Sequence, residues 1–156
     1  MLIHAFAKIA AEYPTTELII YGEGELRSKL ENLVEEKGLS DRISLPGSVT
    51  DVADRIRKAR IFACTSNTEG MPNSVIEAVA LGLPVISTDC PCGGAAELIE
   101  DGVNGILVPV GDAYALSDAF RRILADEEHA HKLAENASKI AERLAPEKVC
   151  KEWETC

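Results

Sequence analysis

Short β-branched runs recur along this chain, each separated from the next by a stretch of helical periodicity, and this alternation limits the fold more than any other feature. The runs are Leu18-Ile19-Ile20-Tyr21, Ile43-Ser44-Leu45, Ile61-Phe62-Ala63-Cys64, Pro84-Val85-Ile86-Ser87 and Ile106-Leu107-Val108. Before and between them lie apolar stripes: Leu2, Phe6, Ile9 and Tyr13; Leu26, Leu30, Leu33 and Val34; Val52 and Ile56, capped by Asp51; and Val75, Ile76, Val79 and Ala80. Gly38 and Gly82 sit where a left-handed residue would end a helix. A short helix is expected from Ala95 to Ile99, and Asp112 should cap a stripe of Leu116, Phe120 and Ile123. Leu133, Ala137, Ile140 and Leu144 continue to Pro146, and a last amphipathic stretch carries Val149 and Trp153. Strands joined by helices cannot close hairpins, because each connection is a crossover, so the expected fold is α/β: a doubly wound parallel sheet covered on both faces.

In such sheets ligands bind beyond the carboxyl ends of the strands, which directs attention to residues 22–24, 46–51, 65–74, 89–94 and 109–112. The length suits one domain over residues 1–156. The chain opens on a helix where a doubly wound domain opens on a strand, so a first strand ahead of Met1 is expected to be missing.

Charge narrows the partners. The formal net charge of −10 argues against binding nucleic acid or anionic lipid through a basic surface, so any phosphate must be held locally. The longest uncharged stretch, Ala78 to Thr88, falls short of the ~18 residues a membrane span needs. Five cysteines in a chain large enough to fold without staples favour reduced thiols and a cytoplasmic setting. Cys90-Pro-Cys92 has the wrong spacing for a zinc pair, and His4, His129 and His131 have no partners at ligand spacing, so neither a metal nor another cofactor is expected.

The segment Thr65-Ser66-Asn67-Thr68-Glu69-Gly70-Met71-Pro72-Asn73-Ser74-Val75-Ile76-Glu77 follows a strand and opens a helix. Free N–H groups at a helix start, with the positive end of the helix dipole, hold a phosphate without basic side chains. Glu77 lies one turn beyond Asn73 on the same face, and Glu69 stands just outside the helix. Carboxylates repel phosphate but accept hydrogen bonds from hydroxyls, so a nucleotide diphosphate sugar would use the whole arrangement. Spacing alone leaves open that Glu69 is a surface charge and Glu77 a solvated helix residue.

Glu69 to Glu77 resembles the E-x7-E motif of retaining glycosyltransferases of the GT-B type, in the group 1 (family four) set. Glu77-Ala78-Val79-Ala80-Leu81-Gly82-Leu83-Pro84-Val85-Ile86 is similar to its continuation, as are Gly93-Gly94, Glu97-Leu98-Ile99, Asp101-Gly102-Val103-Asn104-Gly105 and Val108-Pro109. The resemblance covers nearly the whole chain, as the family's C-terminal, donor-binding domain. It implies a catalytic position at Glu69, whose carboxylate would accept bonds from donor-sugar hydroxyls. Backbone N–H groups of Gly70, Met71, Asn73 and Ser74 would hold the sugar and diphosphate, and Glu77 the ribose. Gly22, Gly24, Ser48 and Val49 would form the base pocket.

The implied reaction moves a sugar, from a uridine diphosphate sugar in the expected case, to a glycan or lipid-linked acceptor with retention of configuration. The setting implied for the full-length enzyme is the cytoplasm or the inner membrane face. Catalysis of this kind is largely electrostatic and needs no metal. Departures matter too. The Arg and Lys that members carry near the first strand, and the N-terminal acceptor domain, are expected to be missing from this stretch of sequence. Pro72 replaces a common glycine and removes one backbone donor. Val149 and Trp153 suit packing on this domain or on the absent one. A non-catalytic nucleotide-binding or interaction module from a truncated reading frame remains an alternative, as does a sugar-nucleotide epimerase of related architecture.

Overall fold

The structure, a computed structural model, describes residues 1–143. Leu144, Pro146, Val149, Cys150, Trp153 and Cys156 lie outside the described residues. In chain order the elements are α1 (Leu2–Ile9), β1 (Leu18–Tyr21), α2 (Arg27–Glu36), β2 (Ile43–Gly47), α3 (Val52–Ile56) and β3 (Phe62–Cys64). They continue with α4 (Asn73–Ala80), β4 (Val85–Asp89), β5 (Ile106–Pro109), α5 (Ala113–Ala125) and α6 (Glu127–Arg143).

All described strand pairs are parallel, as crossover connections require. Side-chain alternation sorts the strands between two apolar layers. Ile86, Ile106 and Val108 pack with Ile3, Phe6 and Ile9 of α1, Val34 of α2 and Leu116, Phe120 and Ile123 of α5. Val85 and Leu107 turn the other way, toward Ile56 of α3, Val75 and Val79 of α4 and Ala137 of α6. The strands are therefore covered on both faces, which is the doubly wound arrangement.

One feature departs from a single continuous sheet. The strands form a two-stranded sheet, β1-β2, and a three-stranded sheet, β3-β4-β5, with no described pairing between β1 and β3. Single-strand periodicity cannot foresee this, because it reports burial and not which edges meet.

Local rules account for most of the ends. Gly38 and Gly82 have φ of +64° and +69°, as the helix-ending glycines should. Asp112 caps α5, its carboxylate accepting from the N–H groups of Tyr114 and Ala115, both at 2.9 Å. Asp51 precedes α3 but makes no cap hydrogen bond; its carboxylate accepts instead from Arg55 at 2.8 Å. Leu26 leaves the stripe expected for α2, standing 59% exposed just before the helix.

Residues 95–99 form turns and not the expected helix. Leu98 and Ile99 are buried there, and Asn104 closes the segment by accepting from Glu100 N–H at 2.7 Å and donating to Leu98 O at 3.1 Å. That side chain satisfies a carbonyl and an N–H at the end of the segment, within which single helical bonds survive, as from Ile99 N–H to Ala95 O at 2.8 Å.

Candidate functional site

Two groups of loops stand at the carboxyl ends of the parallel strands, one on each sheet. The first begins where β3 ends at buried Cys64. The carbonyl of Ser66 accepts from Thr88 Oγ1 at 2.5 Å and from Cys90 Sγ at 3.1 Å, both from fully buried residues at the end of β4. The Ser66 hydroxyl donates to Glu69 Oε1 at 2.7 Å. A relay thus runs from the core through Ser66 to the Glu69 carboxylate, which is half-buried.

Gly94 tightens the same loop from the other side. A methyl group there would overlap the Gly70 carbonyl outright and approach Glu69 O at 3.2 Å, so only glycine lets the two backbones lie together.

The loop ends at Pro72, whose ring fixes φ at −76° and whose carbonyl accepts from Val75 and Ile76 N–H at 3.0 and 3.2 Å. Proline has no N–H to offer, and no side chain caps α4. No described residue accepts from the N–H groups of Asn73 or Ser74. Burial of Val75, Ala78 and Val79 leaves Asn73, Ser74 and Glu77 along the exposed side of α4. Met71 stands 53% exposed beside this opening turn, next to exposed Gly70.

The two acids have different surroundings. Glu69 is held by Ser66, whereas Glu77 is exposed with no described ion pair. One carboxylate is held by a hydrogen bond from within its loop, and the other lies on the exposed side of α4.

The second group joins the turns after β1 and β2. Gly22, with φ +124°, donates its N–H to Gly47 O at 3.0 Å. Gly47, with φ +86°, lies under the Glu23 carboxylate, which pairs with Arg27 at 2.9 Å. Arg27 also donates to Leu45 O at 2.7 Å, tying α2 to β2. Gly24 and Ser48 are exposed and Val49 is half-buried. Nearby, the hydrogen bond from Arg55 holds the Asp51 carboxyl below its ordinary value.

The structure thus assembles Gly70, Met71, Asn73, Ser74 and Glu77 with Glu69 around the head of α4, and Gly22, Gly24, Ser48 and Val49 in a second group. No described hydrogen bond links the two. Residues 109–112 offer less than expected, because Asp112 is engaged in capping α5. Sequence reasoning missed the positioning roles of Ser66, Thr88 and Cys90; Cys90 drew notice only as a thiol. Gly94 was visible in a Gly-Gly pair, but nothing local said what it touches. No helix of the described residues is long and apolar enough to cross a membrane.

Comparison with known proteins converges on one family. The pattern described as Glycosyl transferases group 1 matches residues 1–140. An exopolysaccharide phosphotransferase of Streptomyces coelicolor is 33% identical over 153 residues, 97% of this chain but 16% of that protein, most of which lies outside the match. A poly(glycerol-phosphate) alpha-glucosyltransferase of Bacillus subtilis is 31% identical over 155 residues, 97% of this chain and 23% of its own length. Among solved structures, Anabaena HepE in complex with UDP-glucose superposes with a TM-score of 0.86 at 26% identity, covering 99% of this chain and 44% of that one. The chain spans less than half the length of each of these proteins.

Proposed function

The chain belongs to the group 1 glycosyl transferases, and from that premise we propose that it is the donor-binding domain of a retaining glycosyltransferase that uses a uridine diphosphate sugar. The observation that carries this reading is the head of α4. Free N–H groups of Asn73 and Ser74 stand between a positioned acid, Glu69, and an adaptable one, Glu77.

In this reading the amides of Gly70, Met71, Asn73 and Ser74 hold the diphosphate and sugar, aided by the helix dipole. These donors point where charge builds on the departing phosphate, and they are oriented before the reaction starts. Glu69, turned by Ser66, accepts from sugar hydroxyls. Glu77 accepts from the ribose, and the backbone near Val49, with Gly22, Gly24 and Ser48, meets the base. No protein nucleophile and no metal are needed, because amides supply the electrostatic stabilisation. Pro72 withholds one donor, and in this reading the Asn73 side chain supplies another.

The acceptor, a glycan or lipid-linked saccharide on the cytoplasmic side of the membrane, would be bound by a second domain of the longer protein. Complexes of HepE with UDP-glucose support the choice of nucleotide. Calorimetry tests the assignment. UDP should bind the chain, and Glu77→Ala should weaken binding by about 1–3 kcal/mol through loss of a charged acceptor. Equal affinity of the two proteins would remove Glu77 from the site.

A further inference from the structure

Both ends of the loop after β3 are anchored through backbone groups, whereas its acid is anchored through one side chain. Ser66 O accepts from Thr88 Oγ1 at 2.5 Å and from Cys90 Sγ at 3.1 Å, both buried, which fills the two lone pairs a carbonyl has. At the other end the Gly70 carbonyl lies against Gly94, with no space for a methyl group between them. The Glu69 side chain still has several rotatable bonds beyond this fixed backbone, and such a side chain loses rotamer freedom only when something holds its end. Ser66 does so, donating its hydroxyl to Glu69 Oε1 at 2.7 Å. The proton in that bond is the serine's, because a carboxylate only accepts. Cys64 Sγ stands 3.8 Å from the same hydroxyl oxygen, and Cys64 is buried at the end of β3. The hold on Glu69 is thus backed from the core and not from solvent.

A fixed acceptor and a mobile one differ most in how they respond when a ligand hydroxyl is absent. A mobile carboxylate turns to water and regains its hydrogen bonds. A fixed one, closed in by the rest of the ligand, keeps facing the gap and loses them, and that unpaired polar group is what makes a site reject the analogue.

Resting on the donor-binding reading given above, we propose that Ser66 is the positioning residue that makes the site selective for the donor's sugar. It holds Glu69 so that a nucleotide sugar lacking the hydroxyl that Glu69 meets is rejected. UDP, having no sugar, does not use this acid. Thr88 and Cys90 act one step further back, by fixing the backbone from which the Ser66 hydroxyl projects.

Calorimetry on the 156-residue chain, with UDP-glucose and with analogues that lack one glucose hydroxyl in turn, reads this selectivity as a ratio of affinities, in which any uniform loss cancels. For the parent chain at least one analogue should bind roughly tenfold or more weakly than UDP-glucose. In Ser66→Ala the same analogue should come within about threefold of UDP-glucose, and Ser66→Thr, which keeps the hydroxyl, should restore the parent ratio. Scalar couplings of the Glu69 side chain, measured without ligand, should report one rotamer in the parent and in Ser66→Thr, and an average in Ser66→Ala.

Binding of UDP-glucose tells two failures apart. If it binds none of the chains, the donor-binding reading falls and the proposal with it. If it binds, but no analogue is weakened, or the ratio is the same in Ser66→Ala as in the parent, or the parent's couplings are already averaged, the proposal falls and the reading stands. Should Ser66→Ala fail to fold, Thr88→Val, which removes one donor to Ser66 O, must lower the ratio by about threefold or more, and an unchanged ratio overturns the proposal.

Discussion

The two loop groups at the carboxyl ends of the strands are built on opposite plans. The loop after β3 is gripped from inside: buried Thr88 and Cys90 hold the Ser66 carbonyl, and Gly94 lies flush against Gly70. The turns after β1 and β2 are tied chiefly through Arg27, by exposed ion pairs and a part-buried bond to Leu45 O, together with one backbone hydrogen bond. Buried hydrogen bonds resist loss because a stranded partner has no water to replace it, whereas exposed ion pairs contribute little and are screened by salt. Rigidity is thus concentrated around Glu69 and relaxed in the turns after β1 and β2.

The sharpest way to break this contrast is Gly94→Ala. Its methyl group meets backbone, which cannot swing aside, so a loss of about 2–4 kcal/mol is expected in denaturant unfolding, together with loss of UDP binding. Gly47→Ala asks the same question of the other group. Its new methyl meets the end of the exposed Glu23 side chain, which can move, so the cost reduces to the strain of φ +86°, about 1–2 kcal/mol. If thermal melts showed Gly47→Ala to be the costlier change, the distinction between a gripped and a tied loop would fail.

Acid provides the mildest probe. The Arg55 hydrogen bond lowers the Asp51 carboxyl below its ordinary value of 3.8. A carboxyl lowered by folding contributes stability that is present above its unfolded value and lost as pH falls through its folded one. Amides around residues 48–55 should therefore lose protection as pH drops below about 4, before those of residues 65–72, and Asp51→Asn should remove that pH dependence. Exchange measured across the range would show it.

The grouping of the candidate residues around the head of α4 could be read before any coordinates. Glu69, Gly70, Asn73, Ser74 and Glu77 are neighbours in sequence around a strand-to-helix junction, and such a junction arranges its own residues by local geometry. The relay behind Glu69 could not be read in this way. Thr88 lies 22 residues from Ser66, and Gly94 meets Gly70 across two separate loops, so no periodicity links them. The segment 95–99 escaped for a related reason: its end is closed by buried Asn104, a residue beyond the expected helix, through bonds to Glu100 N–H and Leu98 O.

Sequence by itself determined the alternation of strands and helices, the parallel direction of the strands, the glycines that end α2 and α4, and the cap of α5. Each of these depends on steric and hydrogen-bonding preferences that act within a few residues. Only the tertiary structure decided which strand edges meet and which stay open, which backbone groups hold the Glu69 loop, and which of the two acids is fixed. Those outcomes come from packing between segments distant in the chain, where shape and unsatisfied polar groups, and not local propensity, select the arrangement.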